Sequence, residues 1–293
     1  MAADQLLLEL DTASPWCQRW RDREHSWRHR AEGGFRSERY RVERVSPALA
    51  RDFCVQHHYA GQPGPIRLSY GLIDQEQPGE GAGLLVGVAV LTVPMQEAVV
   101  TGVFPGLEPL RESLELGRFV LLDEVPGNAE TWFLARGFRI AAEEDGIRGV
   151  VSFADPVPRK SRLTGLVTFK GHRGVIYCAA NATYTGRGTP RSLTLLPDGT
   201  SLNARSLQKV RAGEDRADAV VRRLVGLGAT IPTPHEEMGS WLREALDQVG
   251  AYRARHRGCH RYVFRLGATR REREAVRIAL PPLGYPQQLD EAA

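Results

Sequence analysis

Short apolar or alternating stretches are separated along the chain by breaks rich in glycine and proline, and they predict strands with at least one buried face. The predicted strands are 40–45, 68–73, 84–93, 114–122, 149–153, 192–196 and 260–266. Helical periodicity between them predicts helices over 47–57, from 128 onward, and over 174–184, 202–210, 217–227, 236–249 and 270–278. The mixture predicts an α/β (α+β) protein.

The region 114–186 arranges its elements as strand, helix, strand and helix, with polar residues where the second strand ends. This order is typical of acyltransferases of the GNAT kind. We therefore predict a GNAT-like mixed central sheet flanked by helices, over 35–204. A basic, aromatic appendage (1–34) precedes this core. A helical insertion (205–257) follows it, and 258–293 supplies a returning strand, a basic helix and a tail.

The appendage interleaves tryptophans with arginines. Trp16, Trp20 and Trp27 follow one another at spacings of four and seven, which would place them on one face of a helix. Two interpretations remain open. The helix docks its tryptophans on the body of the protein, or it presents an aromatic and basic surface that stacks on nucleobases.

Composition narrows the class of protein only slightly. A hydrophobic fraction of 42% and a charged fraction of 25% are ordinary for a globular chain with a full core. The net charge of +4 is compatible with nucleic-acid binding but weak evidence for it. The four cysteines are far apart, so reduced thiols are expected, with no disulfide framework or metal-ligand spacing. No apolar run approaches the ~20 residues of a membrane span, and a cytoplasmic protein is expected.

Acyl transfer to an amine requires a positioned amine, a polarised carbonyl and a group that accepts the amine's proton. Ser152 and Asp155 stand where a buried strand ends before Pro156, and such strand ends carry the sites of open α/β sheets. The alternative for Asp155 is an ordinary turn before proline.

Two further clusters are candidates for this chemistry. His58 and Tyr59 end a predicted helix just before a Gly/Pro loop, and histidine suits proton transfer near neutral pH. Tyr184 stands at the predicted end of the helix before Gly186. Glu115 and Arg118, on the predicted strand 114–122, flank the expected cleft, with a simple ion pair between them as the alternative interpretation.

Four segments carry a sharper signal: ELGRF, NAETWFLAR, VSFADP and GVIYCAANATYTG. The residues of these segments and their order along the chain resemble the motifs of the Mom family of phage DNA-modification proteins. The resemblance implies that His58, Tyr59, Ser152, Asp155 and Tyr184 form the active site. It also implies that the substrate is double-stranded DNA, and that N6 of adenine acquires a carbamoylmethyl group that protects phage DNA from restriction. The protein would then work in the cytoplasm of the host cell.

The expected donor site departs from that of acetyl-CoA enzymes. GNAT enzymes usually cradle the pyrophosphate of CoA with a glycine-rich basic loop, whereas residues 123–129 read DEVPGNA. Acetyl-CoA is therefore doubtful, and Asn128 and Arg118 remain as cofactor-binding candidates. The donor is expected to be an activated acyl group, with glycyl-tRNA or an acyl-CoA as the options. No metal site is predicted; iron is possible, but no ligand spacing supports it.

Basic residues supply candidate contacts to DNA phosphates: Arg19, Arg21, Arg23, Arg28, Arg30, Arg159, Lys160, Arg162, Arg270 and Arg271. Three functions stay open at this point. The first is a DNA-adenine modifying transferase, the second an N-acetyltransferase acting on a small amine or protein, and the third a non-catalytic nucleic-acid-binding protein on a GNAT scaffold. An aminoacyl-tRNA would be a partner of the first alone.

Overall fold

A computed structural model describes residues 16–78, 83–214 and 218–292. The strands, in chain order, are β1 Trp16–Arg21, β2 Glu24–His29, β3 Tyr40–Arg44, β4 Ile66–Asp74, β5 Leu84–Thr92, β6 Ser113–Leu121, β7 Gly149–Ala154, β8 Arg159–Lys160, β9 Val167–Phe169, β10 Thr183–Arg187, β11 Arg191–Leu195, β12 Ser201–Leu202, β13 Tyr252–His256 and β14 His260–Arg265. The helices are α1 Pro47–His57, α2 Ala98–Thr101, α3 Ala129–Glu143, α4 Val175–Ala179, α5 Ala204–Arg211, α6 Asp218–Gly226, α7 Met238–Gln248 and α8 Arg270–Ala275.

Seven strands form the central sheet in the order β10-β14-β7-β6-β5-β4-β3. The neighbours are antiparallel except for β6 and β7, which are parallel and joined by the long helix α3. A right-handed crossover through a helix is the usual way to join parallel neighbours. One parallel pair inside an otherwise antiparallel sheet is the arrangement of the GNAT-like fold, so the predicted fold class is confirmed.

The core lies where the sheet meets its helices. Continuous apolar runs in β5 and β7 are buried on both faces, as central strands require. Helix α1 begins as predicted at the Ser46–Pro47 pair, because the Ser46 hydroxyl accepts the backbone N–H of Leu49. Among the described residues, no helix combines the length and the apolar character that a membrane crossing needs.

The predicted N-terminal helix is wrong, because residues 16–29 form a β-hairpin. Strands β1 and β2 pair antiparallel, and the two turn residues, Asp22 and Arg23, have positive φ values of 48° and 70°. Two consecutive residues in the left-handed region make the type of tight turn whose twist matches a hairpin. Residues of the predicted appendage before Trp16 lie outside the described part of the chain.

The insertion combines a small sheet with three helices. Strands β12, β11 and β13 form the sheet, and α5, α6 and α7 pack together around a second apolar cluster that includes Trp241 and Leu242. The helices fall within the predicted 205–257 apart from the first residue of α5, but strand β13 in the same range pairs with β11, which precedes it. The end of β13 places His256 against the central sheet, beside Asp155.

Candidate active site

The parallel strands β6 and β7 separate partway along their length. Their pairing runs from Ser113 opposite Gly149 to Leu116 opposite Ser152 and then stops, although β6 continues to Leu121. Side chains from the two diverging strands line the gap that opens beyond this point. A split of this kind creates a cleft at the carboxyl end of β7, where the sequence places Asp155.

A bulge in β6 shapes the cleft wall. Arg118 pairs with Val90 and Leu116 with Leu91, so Gly117 is the extra residue between them. A Cβ atom on Gly117 would lie 2.5 Å from the Thr92 hydroxyl oxygen, and the position therefore requires glycine. In a regular strand, Glu115 and Arg118 would point to opposite faces, because they are three residues apart. The bulge brings both to the cleft.

The cleft has a volume of about 560 Å³. Its walls come from the hairpin, the end of α1, strands β6 and β7, helix α4 and the segment after β13. The chemically active or aromatic side chains that line it are Trp16, Cys17, Gln18, Trp20, Trp27, Arg30, His58, Tyr59, Glu115, Arg118, Phe119, Asn128, Glu130, Thr131, Phe153, Asp155, His172, Tyr177, Arg191 and Cys259.

His58 and Tyr59 line the cleft and contact Trp20, with ring centroids 5.3 and 4.9 Å away. Burial, with a smaller effect from the charge of Arg118, lowers the pKa of His58 to about 3, so its imidazole is neutral at pH 7. Its Nδ1 accepts the backbone N–H of Ala60, which leaves the proton on Nε2. The neutral imidazole of His58 can therefore donate a hydrogen bond from Nε2, and it is a weak base.

Tyr59 offers a second donor. Desolvation raises its pKa to about 12, and the phenol is therefore protonated at neutral pH. Its ring contacts those of His58 and Phe169, which fixes the ring plane.

Glu115 is a carboxylate in the cleft whose oxygens are not engaged by hydrogen bonds from other described residues. Burial raises its pKa, and the nearby charge of Arg118 opposes that shift only in part. A carboxylate with these properties is suited to take up a proton.

Asp155 is held in a network. His256 Nε2 donates to its Oδ1 at 2.9 Å, the backbone N–H of Val157 donates to the same oxygen, and Arg159 binds Oδ2. The tautomer of His256 follows from Nδ1, which accepts the backbone N–H of Gly258. Burial alone would raise the pKa of Asp155, but the bond from His256 and the charge of Arg159 lower it below the ordinary value. Asp155 is thus a weaker base than Glu115.

The ligand atoms of Asp155, His256 and Cys259 lie within 4.8 Å of one another. Sequence spacing gave no sign of this group, because 101 residues separate the first two. In the observed arrangement both ring nitrogens of His256 are already hydrogen-bonded, and Arg191 donates to the Cys259 sulfur at 3.4 Å. Burial raises the pKa of that thiol, and the guanidiniums of Arg159 and Arg191 oppose a dication. The group does not fit an iron or other metal site without rearrangement.

Two predicted catalytic residues lie outside the cleft wall. Tyr184 is in strand β10, not at the end of a helix, and its hydroxyl is 2.8 Å from His260 Nδ1 in a buried pair. The predicted position of Tyr184 at the end of a helix is therefore wrong; α4 ends five residues earlier, at Ala179, and Tyr177 lines the cleft. The catalytic role of Tyr184 stays a prediction. Ser152 is fully buried and donates to the Leu116 carbonyl. Ser152 also interacts with Tyr177. Burial raises the pKa of Tyr177, and the interaction with the Ser152 hydroxyl opposes that rise.

The hairpin fills the corner where the loop before α3 was expected to meet a donor. Arg19 is fully buried, and its guanidinium donates to the carbonyls of Val125 and Pro126 and to the Glu130 carboxylate. Arg28 donates to the Asp123 carbonyl at 2.7 Å. These contacts occupy carbonyl groups and acidic side chains at the start of α3.

Both predicted cofactor-binding residues, Asn128 and Arg118, line the cleft. Asn128 has a left-handed backbone (φ 71°), and its side chain extends toward the Arg30 carbonyl without capping α3. Arg118 donates to the carbonyls of Gly117 and Gln62 and is partly buried beside Glu115.

The predicted phosphate contacts fall into three groups: buried residues, partly exposed residues that face acidic partners, and exposed residues. Arg19 cannot contact DNA, because it has no exposed surface and forms an ion pair with Glu130. Arg159 is mostly buried and forms an ion pair with Asp155. Arg21 and Arg28 are about 40% exposed but face acidic partners. The exposed remainder, for which DNA contact stays a prediction, is Arg23, Arg30, Lys160, Arg162, Arg270 and Arg271.

The sheet order and the split parallel pair define a protein with a GNAT-like fold and a cleft at the carboxyl end of β7. The model of the Mom protein family matches residues 39–287, and the chain belongs to that family. The match leaves out the hairpin.

Solved structures with similarity to the chain include NAA60 of Arabidopsis thaliana with a bisubstrate analogue, at 12% identity, a TM-score of 0.34, and coverage of 55% of this chain and 94% of that one. An IAA acetyltransferase from Bacillus cereus ATCC 14579 has 12% identity and a TM-score of 0.29, with coverage of 78% of this chain and 99% of that one. A tandem GNAT protein from the clavulanic acid biosynthesis pathway, without AcCoA, has 9% identity and a TM-score of 0.31, with coverage of 78% of this chain and 75% of that one. Curated proteins give no match.

Proposed function

We propose that the protein transfers an aminoacyl group to the N6 amine of an adenine in double-stranded DNA, as the first step of a carbamoylmethyl-type modification that protects phage DNA from restriction. The observation that carries the proposal is the pairing, in one cleft, of a carboxylate without a hydrogen-bond partner among the described residues and two neutral donors. Membership of the Mom family supports the proposed substrate class.

Each group has a role in acyl transfer. The adenine amine attacks the carbonyl carbon of an aminoacyl ester, and Glu115 accepts the N6 proton. Nε2–H of His58 and the Tyr59 hydroxyl donate to the carbonyl oxygen as negative charge develops there. The ester C–O bond then breaks, and the leaving oxygen takes up a proton. Asp155 keeps the end of β7 in place through His256 and Arg159.

An aminoacyl ester such as glycyl-tRNA is favoured over acetyl-CoA as the donor. CoA binding in this fold relies on backbone amides and positive charge at the start of the helix after β6. Here the hairpin covers that corner through Arg19 and Arg28, and the surrounding side chains Asp123, Glu124 and Glu130 are acidic. The same features weigh against an ordinary N-acetyltransferase.

A glycyl group has the same atoms as the carbamoylmethyl substituent. Once glycine forms an amide with N6, its free amine can attack C6 to close a five-membered ring. Cleavage of the original C6–N6 bond then leaves glycine nitrogen on C6 and converts the original nitrogen into the terminal amide. The rearrangement is an isomerisation and needs no further reactant.

The experiment is expression in bacteria with glycine labelled at nitrogen and both carbons, followed by mass spectrometry of digested plasmid DNA. The expected nucleoside carries both glycine carbons, glycine nitrogen at N6 and the original adenine nitrogen in the amide. Label that arrives only from acetate would restore acetyl-CoA as the donor. A plasmid without any modified adenine, in cells that contain folded protein, would contradict the proposed function.

A further inference from the structure

The hairpin has two chemically distinct faces, which follow from its register. Residues directly opposite each other across an antiparallel pair share a face, and successive residues alternate. The pairs on one face are Trp16–His29, Gln18–Trp27 and Trp20–His25, and those on the other are Cys17–Arg28, Arg19–Ser26 and Arg21–Glu24. One face is therefore aromatic apart from Gln18, and the other is mostly polar.

The polar face fixes the hairpin to the body of the protein. Arg19 is buried against Glu130, Ser26 donates to Asp123, and Arg21 pairs with the same acidic loop. This attachment turns the aromatic face toward the cleft, where four of its side chains form part of the wall: Trp16, Gln18, Trp20 and Trp27. The aromatic wall is thus held rigidly by buried and charged contacts on its far side.

Two polar groups on this wall have no partner among the described residues. The indole N–H of Trp27 is buried and meets no acceptor. Gln18 is the cross-strand neighbour of Trp27 and also lines the cleft, and its side-chain amide forms no hydrogen bond within the part of the chain that the structure describes. A buried donor without an acceptor is uncommon in native proteins and calls for an explanation. A ligand that brings a flat ring with acceptors on its edge would satisfy both groups.

We propose that the aromatic face of the hairpin is the binding wall for the target adenine, with Gln18 and Trp27 reading the edge of the base. The inference rests on the proposed function, because an adenine paired inside a duplex must leave the stack before N6 can react. Aromatic side chains replace the lost stacking for any base. Selectivity for adenine comes from the glutamine amide, whose donor and acceptor match N7 and N6 of adenine.

The position of the wall also suits the chemistry. Trp20 contacts the rings of His58 and Tyr59, so a base seated against the hairpin lies beside the donors of the acyl-transfer site. Gln18 engages only one of the two N6 hydrogens, and the other remains available to Glu115. The wall lies outside residues 39–287, the part of the chain that the family model matches.

The test measures affinity for short duplexes that carry, opposite an abasic site, adenine, 7-deazaadenine or thymine. Wild-type protein is expected to prefer adenine over the other two by about tenfold or more, the range of one good bidentate contact. Gln18→Leu should abolish the preference over 7-deazaadenine, and Trp27→Phe, which keeps a ring but loses the N–H, should weaken adenine binding. Trp132→Phe is the matched control, because Trp132 packs against Phe35 and Arg136 away from the cleft.

Each outcome decides the proposal. Unchanged base preference in both hairpin variants, with modification activity intact, would overturn it. So would variants that raise only the KM for the aminoacyl donor, because the wall would then hold the terminal adenosine of that donor. If Trp27→Phe proves unstable in thermal melting, Gln18→Leu alone gives the answer. Wild-type protein that shows the hairpin-dependent preference but never modifies DNA would support the binding wall and contradict the proposed reaction.

Discussion

His256 Nε2 lies 2.9 Å from Asp155 Oδ1, and this hydrogen bond joins the last strand of the insertion to the end of β7. The insertion therefore contributes to the site without lining most of it. Asp155 serves as the anchor of this junction, because Arg159 and the Val157 amide occupy its other positions.

Asp155→Asn should lower the free energy of unfolding by about 2 kcal/mol, since one buried charge-assisted hydrogen bond is weakened. Modification should fall as well, because the cleft floor loses its anchor. Urea unfolding of the single variants Asp155→Asn and His256→Ala and of the double variant measures the effect. The double variant should cost less than the sum of the two singles; simple additivity would show that the two side chains are not coupled.

The same carboxylate should shape stability in acid. The folded-state pKa of Asp155 lies below its ordinary value of 3.8, so the folded protein binds this proton more weakly than the unfolded chain does. Its contribution is complete above the unfolded-state pKa and is lost as the pH falls through the folded-state pKa. Urea midpoints between pH 6 and pH 2 should fall less steeply in Asp155→Asn than in wild type; parallel curves would contradict the assignment.

Glu115→Gln should reduce the modification rate by 10²-fold to 10⁴-fold, roughly the contribution of a general base. Burial raises the pKa of Glu115 above its ordinary 4.5, so the wild-type rate should rise with pH through that raised value and then level off. The variant should lose this rising limb. Glu143→Gln, on the surface of α3 beside Arg139, is the control. A Glu115→Gln enzyme with a normal pH profile would remove Glu115 from proton transfer.

Arg19→Met should destabilise the protein by about 3–5 kcal/mol, because Glu130 would be left as a buried charge without its partner. Adding Glu130→Met should restore part of the stability, as replacement of both charges removes the unpaired one. Chemical denaturation measures both variants. Arg23→Met, at the exposed turn of the hairpin, should have little effect and serves as the control.

DNA affinity should depend on salt through the exposed basic residues. Removing one ion pair between a basic side chain and a DNA phosphate should reduce the slope of log affinity against log salt by about 0.9. Neutralising Lys160 and Arg162 together is compared with neutralising Arg270 and Arg271, since the first pair lies at and just after the end of β8 and the second at the start of α8. The pair that changes the slope marks the path of the DNA, and an unchanged slope in both would place the path elsewhere.

The sequence by itself determined most of the central sheet. Alternation and buried apolar runs are local properties of a strand, and the Ser46–Pro47 start of α1 is a local signal as well. The resemblance to the Mom family pointed to His58, Tyr59 and Asp155, and the structure brings these three residues to one cleft. The hairpin was missed because Trp16 and Trp20 are four apart, which suits helix and strand alike, and its turn has Asp22 and Arg23 in place of the asparagine and glycine that usually mark it.

Only the tertiary structure decided which groups meet. Glu115 and Arg118 share the cleft because Gly117 forms a bulge opposite β5, which depends on a partner strand. Tyr177 and not Tyr184 faces the site because α4 ends at Ala179. His256 reaches Asp155 across 101 residues because β13 pairs with β11. Local periodicity specifies which face of an element is buried, whereas the contacts that form a site depend on how distant elements pack, and no single stretch of sequence encodes them.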